Sequence, residues 1–227
     1  MTDPIAIVGT GTGIGKTVVT AGITRWLREE GQDARAIKPA QTGFPPDDDA
    51  GFVAKACGDE EAATCPRYLE PALAPRVAAD VADEELSYEE IRTACEAHVA
   101  ETELALVEGI GGLRVPLAED REVIDLVTDL EARTVVVARS GLGTLNHTAL
   151  SIEALERRGV DIAGIVYNEY AGETLAERTN PDELERMTGY AVETVPPLEG
   201  ETPQDLATGV SDALSSAFCD RLGGRES

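Results

Sequence analysis

An apolar run, Ile5–Gly9, opens directly onto Thr10-Gly11-Thr12-Gly13-Ile14-Gly15-Lys16-Thr17, and this junction constrains the chain more than any other stretch. Apolar residues followed by a glycine-rich turn and then a helical periodicity (Val19, Ile23, Leu27) predict strand, loop and helix in direct succession. Such a loop cradles phosphate. Its glycines let successive N–H groups turn inward, and the helix N-terminus adds the positive end of a dipole. Lys16 reaches the outer phosphates, and the Thr17 hydroxyl is placed to ligate Mg²⁺. Five residues rather than the usual four separate Gly9 from Gly15.

The same alternation continues downstream. Strands are expected at Ala34–Lys38, Leu104–Glu108, Thr134–Ala138 and Ile162–Asn168, with a sixth near Val192–Val195. Helices are expected over Lys16–Glu30, from the Ser87-x-x-Glu90 capping box to about Ala100, and over Thr144–Arg158. Alternating β and α elements imply a mostly parallel sheet covered by helices. No linker divides the 227 residues, so we expect one α/β domain, with a flexible polar tail from about 220 to 227.

Charge narrows the partners. Forty-three acidic residues against 19 basic ones give −24, a field that disfavours nucleic acid and anionic membrane. Only three of the basic residues are lysine, a pattern that resembles adaptation to high salt. Cys57, Cys65, Cys95 and Cys219 form no C-x-x-C pair and read as small buried thiols. No signal-like or 18-residue apolar stretch is evident, which points to the cytoplasm.

Ligands of such sheets sit at the carboxyl ends of the strands, which directs attention to the residues after each apolar run. Lys38 follows the second strand in Lys38-Pro39-Ala40-Gln41-Thr42-Gly43, so two of the three lysines occupy strand ends. A compact ammonium suits a phosphate, although a solvated strand terminus would look the same. Glu108 closes the third expected strand ahead of Gly109-Ile110-Gly111-Gly112 and is placed for Mg²⁺; a surface Glu in a glycine turn is the plain alternative. Asp47-Asp48-Asp49 is either a further carboxylate source or a solvated loop. Gly141-Leu142-Gly143 enters a helix carrying Asn146 and could hold a carboxylate on free N–H groups, or be ordinary glycine punctuation. Asn168 ends the fifth expected strand, where an amide could read a base edge. His98 and His147 lack metal-ligand partners and receive no role.

In order, G-T-x-T-x-x-G-K-T, K-P-x-Q-T-G, D-A after an acidic loop, V-E-G-x-G-G and G-x-x-N-H occur over roughly Ile5 to Pro197. This set resembles the dethiobiotin synthetase family. The resemblance implies a single-domain P-loop NTPase fold and a ligase that uses ATP as co-substrate. One amine of 7,8-diaminononanoate would take up CO₂ as a carbamate, ATP would phosphorylate it, and the second amine would displace phosphate to close a cyclic urea. It also implies residue roles. Lys16 and Lys38 would be catalytic; Thr17, Asp49 and Glu108 would hold Mg²⁺. Thr12, Gly13, Ile14, Gly15, Lys16, Thr17 and Glu108 would bind the phosphates, with Asn168, Pro196, Pro197 and Leu198 on the adenine side. Thr42, Gly111, Gly112 and Asn146 would face the diamine, Asn146 from across a homodimer interface.

Two departures stand out. Gly11 takes a position where the family often has Asp, and Asn180 falls where some members place a tyrosine near the substrate carboxylate. Rival readings fit less well. Partition-type switch ATPases usually carry a lysine at the place of Gly11, and no N-K-x-D motif of a guanine-nucleotide switch follows a strand.

Overall fold

The computed structural model describes residues 3–224. Its main sheet holds β1 (Ile5–Gly9), β2 (Ala34–Ile37), β3 (Ala63–Thr64), β4 (Leu104–Glu108), β5 (Arg133–Arg139), β6 (Ile162–Asn168) and β7 (Val192–Thr194). These pair in parallel in the order β7-β6-β5-β1-β4-β2-β3. The sixth expected strand is present. The edge strand β3 was not foreseen, because two residues carry no periodicity. β2 ends at Ile37, yet the Lys38 N–H still donates to the Thr64 carbonyl (2.8 Å) and so continues the ladder.

Alternation along the strands sends side chains to two cores. On one face Ile5 and Ile7 meet Val19, Ile23 and Leu27 of α1 (Lys16–Glu29) and, from the far end of the chain, Val210 and Phe218. On the other, Ala6 and Val8 share a cluster with Ile91, Ile124, Ile152 and Leu155. Each fully buried aliphatic side chain of this kind contributes about 1.5–3 kcal/mol. Helices therefore cover both faces, as expected of a doubly wound sheet.

The remaining helices are α2 (Asp49–Cys57), α3 (Pro75–Ala82), α4 (Tyr88–Ala100), α5 (Val123–Asp129), α6 (Thr144–Glu156), α7 (Leu175–Thr188), α8 (Pro203–Ala213) and α9 (Ser216–Leu222). Ser87 caps α4 by accepting from the Glu90 N–H (3.4 Å), one of the two bonds of the expected capping box. The flexible tail expected from about residue 220 does not begin there, since Asp220 to Leu222 complete α9 and Leu222 is buried; residues 225–227, the end of that expected tail, lie outside the described residues. Cys95 and Cys219 are buried thiols, whereas Cys57 and Cys65 are only half-buried, and all four are free. No helix among the described residues is long and apolar enough to cross a membrane.

The central strand β1 has β4 on one side and β5 on the other. Its carboxyl end therefore opens into a crevice between neighbouring crossovers, the place where such sheets bind ligands.

Candidate active site

A cleft of about 810 Å³ lies over that end of the sheet. Its floor is the loop between β1 and α1. Ile14 anchors the loop by burying its side chain in the core beneath α1. Gly15 caps α1 with φ 89°, a left-handed conformation that disfavours a side chain, and a Cβ there would stand 2.1 Å from Asn168 Nδ2. That amide donates to the Ile14 carbonyl (3.0 Å), so β6 clamps the loop from above. No side chain caps α1 and no acidic residue occupies its first turn, which leaves its N-terminus suited to an anion.

Lys16 is buried and folds back, donating from Nζ to the Gly11 carbonyl (2.9 Å). Burial, reinforced by the nearby Lys38 charge, lowers its pKa to about 8. An arriving phosphate would favour the protonated form.

Lys38 sits deeper. Its ammonium donates to Glu108 Oε1 (2.8 Å) and the Gly109 carbonyl (3.4 Å) and pairs with Asp49. Thr17 Oγ1 donates to the same Glu108 oxygen (2.9 Å). Four side chains far apart in sequence thus meet at one point. Burial opposes charge on all three ionisable members, and the balance differs for each. For Lys38 the Glu108 and Asp49 carboxylates outweigh burial and hold its pKa above the ordinary value. For Asp49 the pairing with Lys38 overcomes burial and keeps the carboxyl below its usual range. Glu108, fully enclosed and sharing one ammonium with Asp49, is pushed up by burial more than Lys38 pulls it down.

Asp49 is separated from its two acidic neighbours by helix register. Asp48 is the N-cap of α2, accepting from the Gly51 N–H (2.9 Å), which turns the next residue toward Lys38. Asp47 also borders the cleft.

Two oxyanions and a hydroxyl are hard oxygen donors of the kind Mg²⁺ accepts when phosphates complete its shell. No group of three or more His, Cys, Asp or Glu side chains that could enclose a metal occurs among the described residues. The set fits a phosphate-bound Mg²⁺ and not a cage made wholly of protein.

Leu73, Ile110 and Val115 give the cleft an apolar lining, which suits an aliphatic chain. Asn168, Glu169, Pro196, Leu198 and Leu206 line it as well. Thr12, Gly13, Gly15 and Gly111 also border the cleft. Gly112 is instead stitched to Thr10 by an antiparallel bridge that ties the two glycine-rich turns together. Pro197 is exposed and outside the cleft.

Known proteins match this chain along nearly its whole length. A family model described as an AAA domain covers residues 3–205. A protein of Haloferax mediterranei named ATP-dependent dethiobiotin synthetase is 60% identical over 214 residues, spanning 94% of this chain and 92% of the relative. One of the same name from Aquifex aeolicus is 33% identical over 216 residues, spanning 94% and 98%. The chain belongs to the dethiobiotin synthetase family. Among solved structures, a ParA family ATPase from Chlorobium tepidum superposes with a TM-score of 0.61 at 14% identity, covering 97% of each chain. Identity that low shows a shared fold alone.

Within the dethiobiotin synthetase frame, Asn146 lies exposed in the first turn of α6, outside the cleft of its own chain. Asn180 is buried in α7, donating from Nδ2 to the Tyr167 hydroxyl (3.1 Å) and the Gly141 carbonyl (3.3 Å). It is therefore a structural amide holding the turn before α6. Motif reading left Gln41 and the Leu73, Ile110 and Val115 wall unassigned. Gln41 stood inside the quoted K-P-x-Q-T-G motif, whereas the wall comes from scattered residues with no common spacing.

Proposed function

We propose a division of labour among these residues for the ATP-dependent formation of dethiobiotin in biotin biosynthesis, the reaction of the family to which the chain belongs. The observation that carries it is the Lys38 ammonium, buried between Asp49 and Glu108 in the cleft that the phosphate loop and Thr42 also line. The acceptor is the carbamate formed from one amine of 7,8-diaminononanoate and CO₂. Its oxygen attacks the γ-phosphorus of ATP and ADP leaves; the second amine then attacks the carbamoyl carbon and expels phosphate. Bringing a carbamate onto a polyphosphate joins two anions, so charge neutralisation governs the barrier.

Lys16 supplies positive charge to the outer phosphates, and Lys38 to the gap between γ-phosphate and carbamate. Thr12 and the loop from Gly13 to Lys16 hold the phosphates, and Asn168, Pro196 and Leu198 face the base. Thr42 and Gly111 face the diamine, and the apolar wall takes its alkyl chain. Thr17, Asp49 and Glu108 are the groups that would hold Mg²⁺, which when bound neutralises phosphate charge.

The exposed Asn146 beside the wholly exposed Leu142 supports a homodimer in which this turn serves the partner's cleft. We place the enzyme in the cytoplasm, apart from nucleic acid and membrane; its charge of −24 supports the exclusion of polyanions.

ATP turnover should require the diamine and bicarbonate together, and product analysis should show the cyclic urea. Vigorous ATPase activity driven by DNA or lipid vesicles, with no response to the diamine, would remove this reading.

A further inference from the structure

Gln41 is buried in the two-residue strand Gln41–Thr42, which pairs in parallel with Tyr68–Leu69. Its amide has two partners. Oε1 accepts from the Asp49 N–H (3.0 Å), and Nε2 donates to the Thr42 carbonyl (2.8 Å). The Asp49 N–H is one of the first-turn donors that α2 leaves without an intrahelical partner. Asp48 takes the Gly51 N–H, and Gln41 takes this one from outside the helix. Between the two ends lies the turn Gly43 to Asp48, with two prolines and few bonds of its own. One carboxamide therefore joins the segment presenting Thr42 to the helix start presenting Asp49.

We propose that Gln41 is a positioning residue: it fixes the Asp49 carboxylate against Lys38 and Thr17 and keeps Thr42 in register with it. The inference rests on the reading of Asp49 as a metal ligand. Only a neutral amide serves both bonds, since a carboxylate would oppose the Thr42 carbonyl and an aliphatic side chain would leave the Asp49 N–H unpaired.

The test uses the full-length protein, with ADP affinity measured without metal and Mn²⁺ affinity of the ADP complex measured by electron paramagnetic resonance. Gln41→Met and the shorter Gln41→Asn should each weaken Mn²⁺ binding by about 10-fold or more, the effect of losing a group that orients a ligand. Metal-free ADP affinity should stay within about twofold, because the loop is untouched. Unchanged Mn²⁺ affinity in a folded variant would overturn the proposal. So would a parallel loss of metal-free ADP affinity, which marks general disruption. Asp49→Asn separates the two levels: if it binds Mn²⁺ as tightly as the parent, the metal role of Asp49 fails and the Gln41 inference falls with it. If Asp49→Asn loses Mn²⁺ while both Gln41 variants keep it, only the Gln41 inference fails.

Discussion

Lys16 and Lys38 share a cleft yet hold their protons on different terms. Lys16 faces backbone oxygen and is brought near 8 by burial, whereas Lys38 is held charged by two carboxylates. The first is set to gain from a phosphate, and the second already has its partners and is placed beyond the loop. We therefore expect Lys38→Gln to keep ATP affinity within roughly threefold, under about 1 kcal/mol, while kcat falls by about 10² or more. Equilibrium binding beside single-turnover rates checks this; parallel collapse of both would make Lys38 a ground-state ligand. Lys16, Thr17, Lys38 and Glu108 were legible because each ends a periodic run or a glycine-rich motif. Asp49 was not separable from Asp47 and Asp48 by spacing, since only the α2 register, set by the Asp48 cap, distinguishes three equal carboxylates. The Asn168 clamp was equally hidden, because nothing in residues 162–168 announces a loop more than 150 positions earlier.

Helix α1 meets α8 at Gly22, where an added Cβ would stand 2.5 Å from both Cβ and Cγ1 of Val210 and 3.0 Å from the Ala207 carbonyl. Ser211 Oγ donates to the Gly22 carbonyl (2.9 Å), fixing the approach. Alanine at an exposed helical glycine stabilises by about 1 kcal/mol, but here overpacking dominates. Gly22→Ala should lose about 1–3 kcal/mol in urea unfolding, and Val210→Ala in the same chain should recover part of it. A gain in stability would show that α8 gives way freely. Elements with a full apolar stripe, such as α1, were readable from the sequence. The others escaped for physical reasons: α7 contains Pro181 and buries little, β3 has two small residues, and α2 hides behind an acidic run.

Across the whole molecule, arginines are largely consumed in surface ion pairs, so the acidic excess faces solvent. Such pairs are each worth about 0–1 kcal/mol, too little to offset self-repulsion at −24. Screening length falls from about 10 Å at 0.1 M salt to about 3 Å at 1 M, so the unfolding temperature should climb steeply as KCl is raised to molar levels. A flat curve in calorimetry would mean the repulsion is already neutralised. The order of the sheet has a further bearing, on biosynthesis. β1 leaves the ribosome first, yet its flanking strands begin at Leu104 and Arg133, and the amide that seats its loop arrives only with Asn168. At about 5–20 residues per second, roughly 8–30 s separate the emergence of the nucleotide loop from that of its last support. Until Leu104–Glu108 follows, the nascent chain carries an aliphatic strand with no sheet neighbour, and the nucleotide loop waits for its Asn168 support until most of the protein has been made.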